Sequence, residues 1–221
     1  AAYGSVLGDI STFIAGNAML SHAFSGQKNV VEAFIPFIMV IMSIIATIPV
    51  ITITLRGVSE EKHGFLDQIL GNAVSRTKVL GSYGLHAFVA SFFLLFANGF
   101  GFWLSGSQVM ENPIALSTFL QASLVYLPAL WVFIGLSILL SGWFPKATLV
   151  VWIYLVYTFF VTYIGQMLDL ADIFKQLTPF GSVPNLPVDE MNWLYFIVMS
   201  IIALILTVIG LVGYRRRDIS H

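Results

Sequence analysis

A charged stretch from Arg56 to Lys78 interrupts chain that is otherwise apolar: residues 33–55 and 79–110 contain no Asp, Glu, Lys or Arg. A soluble helix of such length would carry a polar face, and these runs have none. Each is long enough to cross a bilayer, which takes about 20 apolar residues at about 1.5 Å rise per residue. In lipid every backbone N–H and C=O must be satisfied within the segment itself, so each run is expected to be a helix. The charged stretch is then a polar connector between two membrane spans.

Composition extends this to the whole chain. With 58% hydrophobic and 10% charged residues, there is too little polar surface for a soluble domain. The expected fold is all-α and polytopic, a single membrane domain over residues 1–221 with five spans near 33–55, 80–104, 119–141, 147–167 and 192–214. Turn chemistry separates them: Ser105-Gly106-Ser107 with Asn112-Pro113, then Ser141-Gly142 and Pro145, then Gly181, Pro184 and Pro187. Pro36, Pro49 and Pro128 fall inside spans, where each removes a backbone donor and is expected to kink its helix.

Basic residues set the expected orientation, because Lys and Arg in short loops stay on the cytoplasmic side. Arg56, Lys62, Arg76, Lys78, Lys146, Arg215, Arg216 and Arg217 collect on one face, and Lys28 and Lys175 on the other. The connector and the C-terminus are therefore read as cytoplasmic, with residues 105–118 and 168–191 outside. Trp103, Trp193 and Tyr195 are read as the outer aromatic belt, and Tyr83, Trp143 and Tyr214 as the inner one. Residues 1–30 form an outer, partly amphipathic segment in this reading, with Gly4 and Gly8 at the small-xxx-small spacing of helix contacts. An outer start, no initiator Met and no signal sequence lead to the expectation that at least one further crossing precedes Ala1.

The sequence excludes most chemistry. It has no cysteine, no phosphate-binding G-x-x-x-x-G-K-[ST] loop, no H-E-x-x-H helix and no G-x-S-x-G elbow. Within the spans the one ionisable residue of the kind that pumps and intramembrane proteases use is His86, read as a buried neutral imidazole bonded to a backbone carbonyl. Glu32 sits at an outer span edge. Asp169, Asp172, Asp189 and Glu190 are the acidic residues of the outer loop, with no His among them to complete a metal site.

The connector carries the remaining signal. Ser59 is positioned as an N-cap, and Glu60 and Glu61 in the following turn would complement the positive end of a helix dipole. Phe65, Leu66, Ile69 and Leu70 then share one helical face, Gly71-Asn72 ends the helix, and Ser75 caps the next span. A helix lying on lipid would favour a Lys/Arg-rich polar face. Glu60, Glu61 and Asp67 instead favour a protein socket.

These residues resemble a known family. Glu60-Glu61, Gly64-Phe-Leu-Asp-Gln-Ile-Leu70 and Val74-Ser75-Arg76 are similar to the E-E-x-x-G-x-L-[ED]-x-[IL]-L-x-x-P-V-S-R stretch of bacterial ABC-type exporter permeases, in the antibiotic-exporter branch of the type-2 group. Ala73 stands where Pro is usual. Leu177-Thr-Pro-Phe-Gly181 is similar to the family's outer L-S-P-[FL]-G-W turn, with Ser182 in place of Trp, and Tyr214-Arg-Arg-Arg-Asp218 to its R-R-D ending. The resemblance covers residues 30–220 or so and implies the permease subunit of an exporter in a bacterial cell membrane, with its C-terminus cytoplasmic.

The resemblance further implies that region 56–79 holds a coupling helix seated on a separate ABC ATPase subunit, present in two copies, which would supply ATP and Mg chemistry. This chain itself would hold no cofactor, metal or catalytic residue. The implied roles are Phe65, Leu66 and Leu70 as an apolar knob, with Asp67 and Ile69 also among the coupling residues, Glu60 and Glu61 as partners of basic ATPase residues, and Arg76 as a hinge anchor at the headgroups. Partners would be the ATPase, membrane lipid and a second permease half or copy, with no nucleic acid. The apolar outer loop 168–191 would form a re-entrant segment bearing Phe174, Leu177, Pro179, Phe180 and Gly181, or a lid resting on the spans. Phe92, Phe96, Phe100 and Tyr157 are candidate pathway residues for a hydrophobic or amphipathic cargo. An ion-coupled carrier or channel and a membrane scaffolding subunit remain alternative readings.

Overall fold

A computed structural model describes residues 30–62, 76–108, 114–164 and 172–216. Among the described residues the structure is helical without strands. Five helical spans among the described residues are long and apolar enough to cross a membrane, as the sequence leads one to expect.

Helix α1 spans Val30–Lys62 and α2 spans Arg76–Ser107. The third span is broken into α3, Leu116–Leu124, and α4, Leu127–Trp143. The break falls at Val125 and Tyr126, because Pro128 has no N–H to give the Leu124 carbonyl but its fixed φ suits the first turn of a new helix. Pro36 and Pro49, in contrast, lie within one continuous α1. A 3₁₀ turn, Pro145–Ala147, leads into α5, Leu149–Phe159, which widens into a π turn over Phe160–Ile164. A short α6, Asp172–Gln176, follows in the loop, and α7, Trp193–Arg216, is the last span.

Three boundaries differ from the sequence reading, the first being the end of α2, which includes the Ser105-Gly106-Ser107 read as a turn. α1 runs unbroken past Leu55 to Lys62, so Ser59 is an interior helical residue and not the N-cap of a separate connector helix. The Arg56 Nε to Glu60 Oε1 ion pair at 3.1 Å bridges one turn across that point, and such i,i+4 pairs favour continuation of the helix. Ser141 and Gly142, read as a turn, lie inside the end of α4.

Packing fixes the helix directions. α1 and α2 are antiparallel: Tyr83 meets Glu60 and Gly57, and Asn98 Nδ2 donates to the Met42 carbonyl at 3.4 Å. α2 runs antiparallel to the broken span, with Ser123 Oγ donating to the Leu95 carbonyl at 2.6 Å and Trp131 Nε1 to Ser91 Oγ at 3.2 Å. α4 and α7 are parallel, joined along a seam of small residues in which Gly135 faces Ala203 and Gly142 faces Gly210. Both pairs are seven residues apart, the period of a left-handed supercoil, and small side chains let the backbones meet where lipid supplies no hydrophobic drive. Trp143 closes the seam, its Nε1 donating to the Ile209 carbonyl at 3.0 Å. These directions bring Arg56, Lys78, Lys146, Arg215 and Arg216 to one end of the bundle.

Candidate functional site

At the basic end, the stems of the connector are joined through side chains. The ring of Tyr83 lies against Gly57, where an added Cβ would come within 3.0 Å of it. Its hydroxyl donates to Glu60 Oε2, while Arg56 holds Oε1 of the same carboxylate from a more exposed position. Tyr83 is therefore part of a helix joint. The Phe65, Leu66, Asp67, Ile69 and Leu70 positions, and the side chains of Glu61 and Arg76, lie outside the described residues.

At the opposite end, the loop after α6 tucks into the bundle. Thr178, Pro179 and Phe180 are buried, and Phe180 stacks on Tyr126 with ring centroids 5.7 Å apart and reaches Phe133 at 6.2 Å. Three tyrosines tie the loop's carbonyls to the spans: Tyr195 donates to Pro179, Tyr154 to Leu177 at 2.7 Å and Tyr157 to Phe174 at 3.2 Å. Phe174, Leu177 and Gly181 themselves are exposed. Tyr195 is buried in this contact, and Tyr214 is buried too, so neither belongs to a lipid-facing belt. Asp189 Oδ2 accepts from Asn185 N and Nδ2 at 2.8 and 3.2 Å, closing a local turn. Among the described residues no three His, Asp or Glu side chains converge on a metal-sized site.

Between these ends the aromatic candidates separate into two groups. Phe92, Phe96 and Phe100 stack along one outward face of α2, with centroids 6.3 and 6.1 Å apart and Trp103 continuing the ladder at 5.7 Å. Tyr157 lies instead beside Tyr154 at 6.3 Å under the loop. His86 is exposed on α2 rather than buried, with Nδ1 on the Ser82 carbonyl at 2.7 Å.

The sequence reading missed a set of hydroxyls. Ser43 Oγ on α1, and Thr158 Oγ1 and Thr162 Oγ1 on α5 and its π turn, are buried with no hydrogen-bond partner among the described residues. Phe37 of α1 meets Tyr163 of the π turn at 5.7 Å, and with about 1.5 Å rise per residue Ser43 and Thr158 then sit at similar depth, roughly 7 to 9 Å further along the two antiparallel helices. Their signal was the i,i+4 spacing Ser43/Thr47 and Thr158/Thr162, which puts hydroxyls on one face of two otherwise apolar spans. An orphaned hydroxyl in a dry interior costs free energy, and π turns recur at functional positions.

Five apolar spans, a charged connector clamped at its neck and a loop inserted at the other mouth define a polytopic α-helical membrane protein. Residues 1–215 match the family described as the C-terminal domain of the multidrug efflux system permease Rv1217c, and the chain belongs to that family. The multidrug efflux system permease protein Rv1217c of Mycobacterium tuberculosis (strain ATCC 25618 / H37Rv) is 25% identical over 220 residues, covering 98% of this chain. The chain spans 40% of that relative's length. The membership agrees with the resemblance to exporter permeases carried by the connector, the outer turn and the basic ending.

Proposed function

We propose that this chain is the membrane permease part of an ATP-driven exporter that moves hydrophobic or amphipathic compounds out of a bacterial cell. The observation that carries this is the match of residues 1–215 to an efflux-permease domain. In this reading the basic end faces the cytoplasm, and the connector docks on a separate ATPase that binds ATP and Mg²⁺. Closure of two ATPase subunits would push the connector and tilt α1 and α2 against the rest of the bundle. Ser43, Thr158 and Thr162 would offer hydrogen bonds to an amphipathic cargo, and the inserted loop would close the outward mouth.

The test is to purify the full-length permease with its native companions and reconstitute it in vesicles. A nucleotide-binding subunit is expected to copurify, and ethidium, as a probe cargo, should accumulate only when ATP is on the connector side. Accumulation driven by an ion gradient with no ATPase present would replace this reading with an ion-coupled carrier. Folding without any transport or ATPase would replace it with a scaffolding subunit.

A further inference from the structure

The connector's acidic residues read from sequence as ATPase contacts, and in the structure the half-buried Glu60 carboxylate also has partners within the permease. Its carboxylate accepts from the Tyr83 hydroxyl on the facing helix and from Arg56 on its own. The joint is built, not incidental: Gly57 opens a seat on α1 for the Tyr83 ring, and Glu60 follows three residues later, so seat and acceptor lie on one helix face. Leu80, one turn before Tyr83, is buried beside the same glycine. Beyond this point α1 continues only to Lys62 before the connector, and α2 begins at Arg76. The joint thus sits at the neck of the hairpin.

We propose that Gly57, Glu60 and Tyr83 form a clamp that makes the two stems of the connector move as one lever, and that Glu60 and Tyr83 are positioning residues for coupling. Without the clamp, a push on the hairpin would splay α1 from α2 instead of displacing both. The hydrogen bond across the helices resists splaying, whether its acceptor is the carboxylate or an amide oxygen in its place. The exposed Arg56 pair adds little and orients the carboxylate. What the lever drives rests on the exporter reading; the clamp itself does not.

The experiment uses the full-length permease with its native ATPase in nanodiscs and, for flux, in vesicles. Spin labels at Thr52→Cys and Leu85→Cys, both exposed, report the spacing of the stems. Tyr83→Phe removes the donor alone, Glu60→Ala the acceptor, and Glu60→Gln keeps an acceptor while removing the charge. The clamp requires a narrow distance distribution in the parent and Glu60→Gln proteins and a broadened one in Tyr83→Phe and Glu60→Ala. Ethidium moved per ATP hydrolysed should fall about fivefold in the last two, be retained in Glu60→Gln, and fall no further in the double variant, because the two residues share one bond. An unchanged distribution in Tyr83→Phe overturns the clamp. Loss of ATPase copurification in Glu60→Ala but not in Tyr83→Phe also overturns it, and returns Glu60 to the ATPase interface. A parent protein with no ATP-driven flux defeats the exporter reading, while the spin-label arm still decides the clamp.

Discussion

Phe180 and Leu177 lie three residues apart in the loop after α6, and from sequence they are equally apolar, yet Leu177 is 60% exposed and Phe180 only 3%. The difference comes from the aromatic slot that Tyr126 and Phe133 present to Phe180, while Leu177 contributes its carbonyl to Tyr154. Truncating Phe180 to Ala removes ring contacts that neither lipid nor water restores, and should cost about 3 kcal/mol. Leu177→Ala should cost well under about 1 kcal/mol, since its side chain touches little. Thermal unfolding in detergent checks both values, and limited proteolysis should cut the loop faster in Phe180→Ala alone. Equal destabilisation by the two variants would mean that the loop is not held by its buried ring.

The α4–α7 seam shows the same contrast between identical residues at the level of elements. A Cβ on Gly210 would stand 2.6 Å from the Ile138 carbonyl carbon, whereas one on Gly101 of α2 would meet nothing within 4 Å. Gly210→Val should therefore force the helices apart and destabilise by about 3 kcal/mol or more, while Gly101→Ala should be neutral or gain up to about 1 kcal/mol from helix propensity. Chemical denaturation in micelles reads both, and a Gly210→Val protein as stable as its parent would rule out the tight seam. The number and rough limits of the spans were legible because lipid demands long uncharged runs, and that demand is local to each segment. The seam was not, because Gly142 reads as a turn residue until its partner Gly210, distant in sequence, is seen to need the space. The Pro128 break and the continuity of α1 through Pro36 and Pro49 depend likewise on neighbours. The connector motif pointed to the right family, but the Glu60–Tyr83 contact was not legible in it, because the hairpin brings Tyr83 back only after both helices have formed.

For the whole molecule the decisive variable is which end of the bundle meets the cytoplasm. The helix directions bring Arg56, Lys78, Lys146, Arg215 and Arg216 to one end, and the proposed orientation puts that end inside, because transferring so many cations across a bilayer during insertion is costly. The chain contains no cysteine, so label recovered on its own peptides reports the added thiol alone. Val188→Cys, 48% exposed in the outer loop, should react with a membrane-impermeant maleimide in intact cells. Arg216→Cys, exposed at the end of α7, should react only after the membrane is permeabilised. The opposite pattern would put the connector outside, where no ATP-hydrolysing subunit could reach it, and would end the exporter proposal while leaving the helix packing untouched.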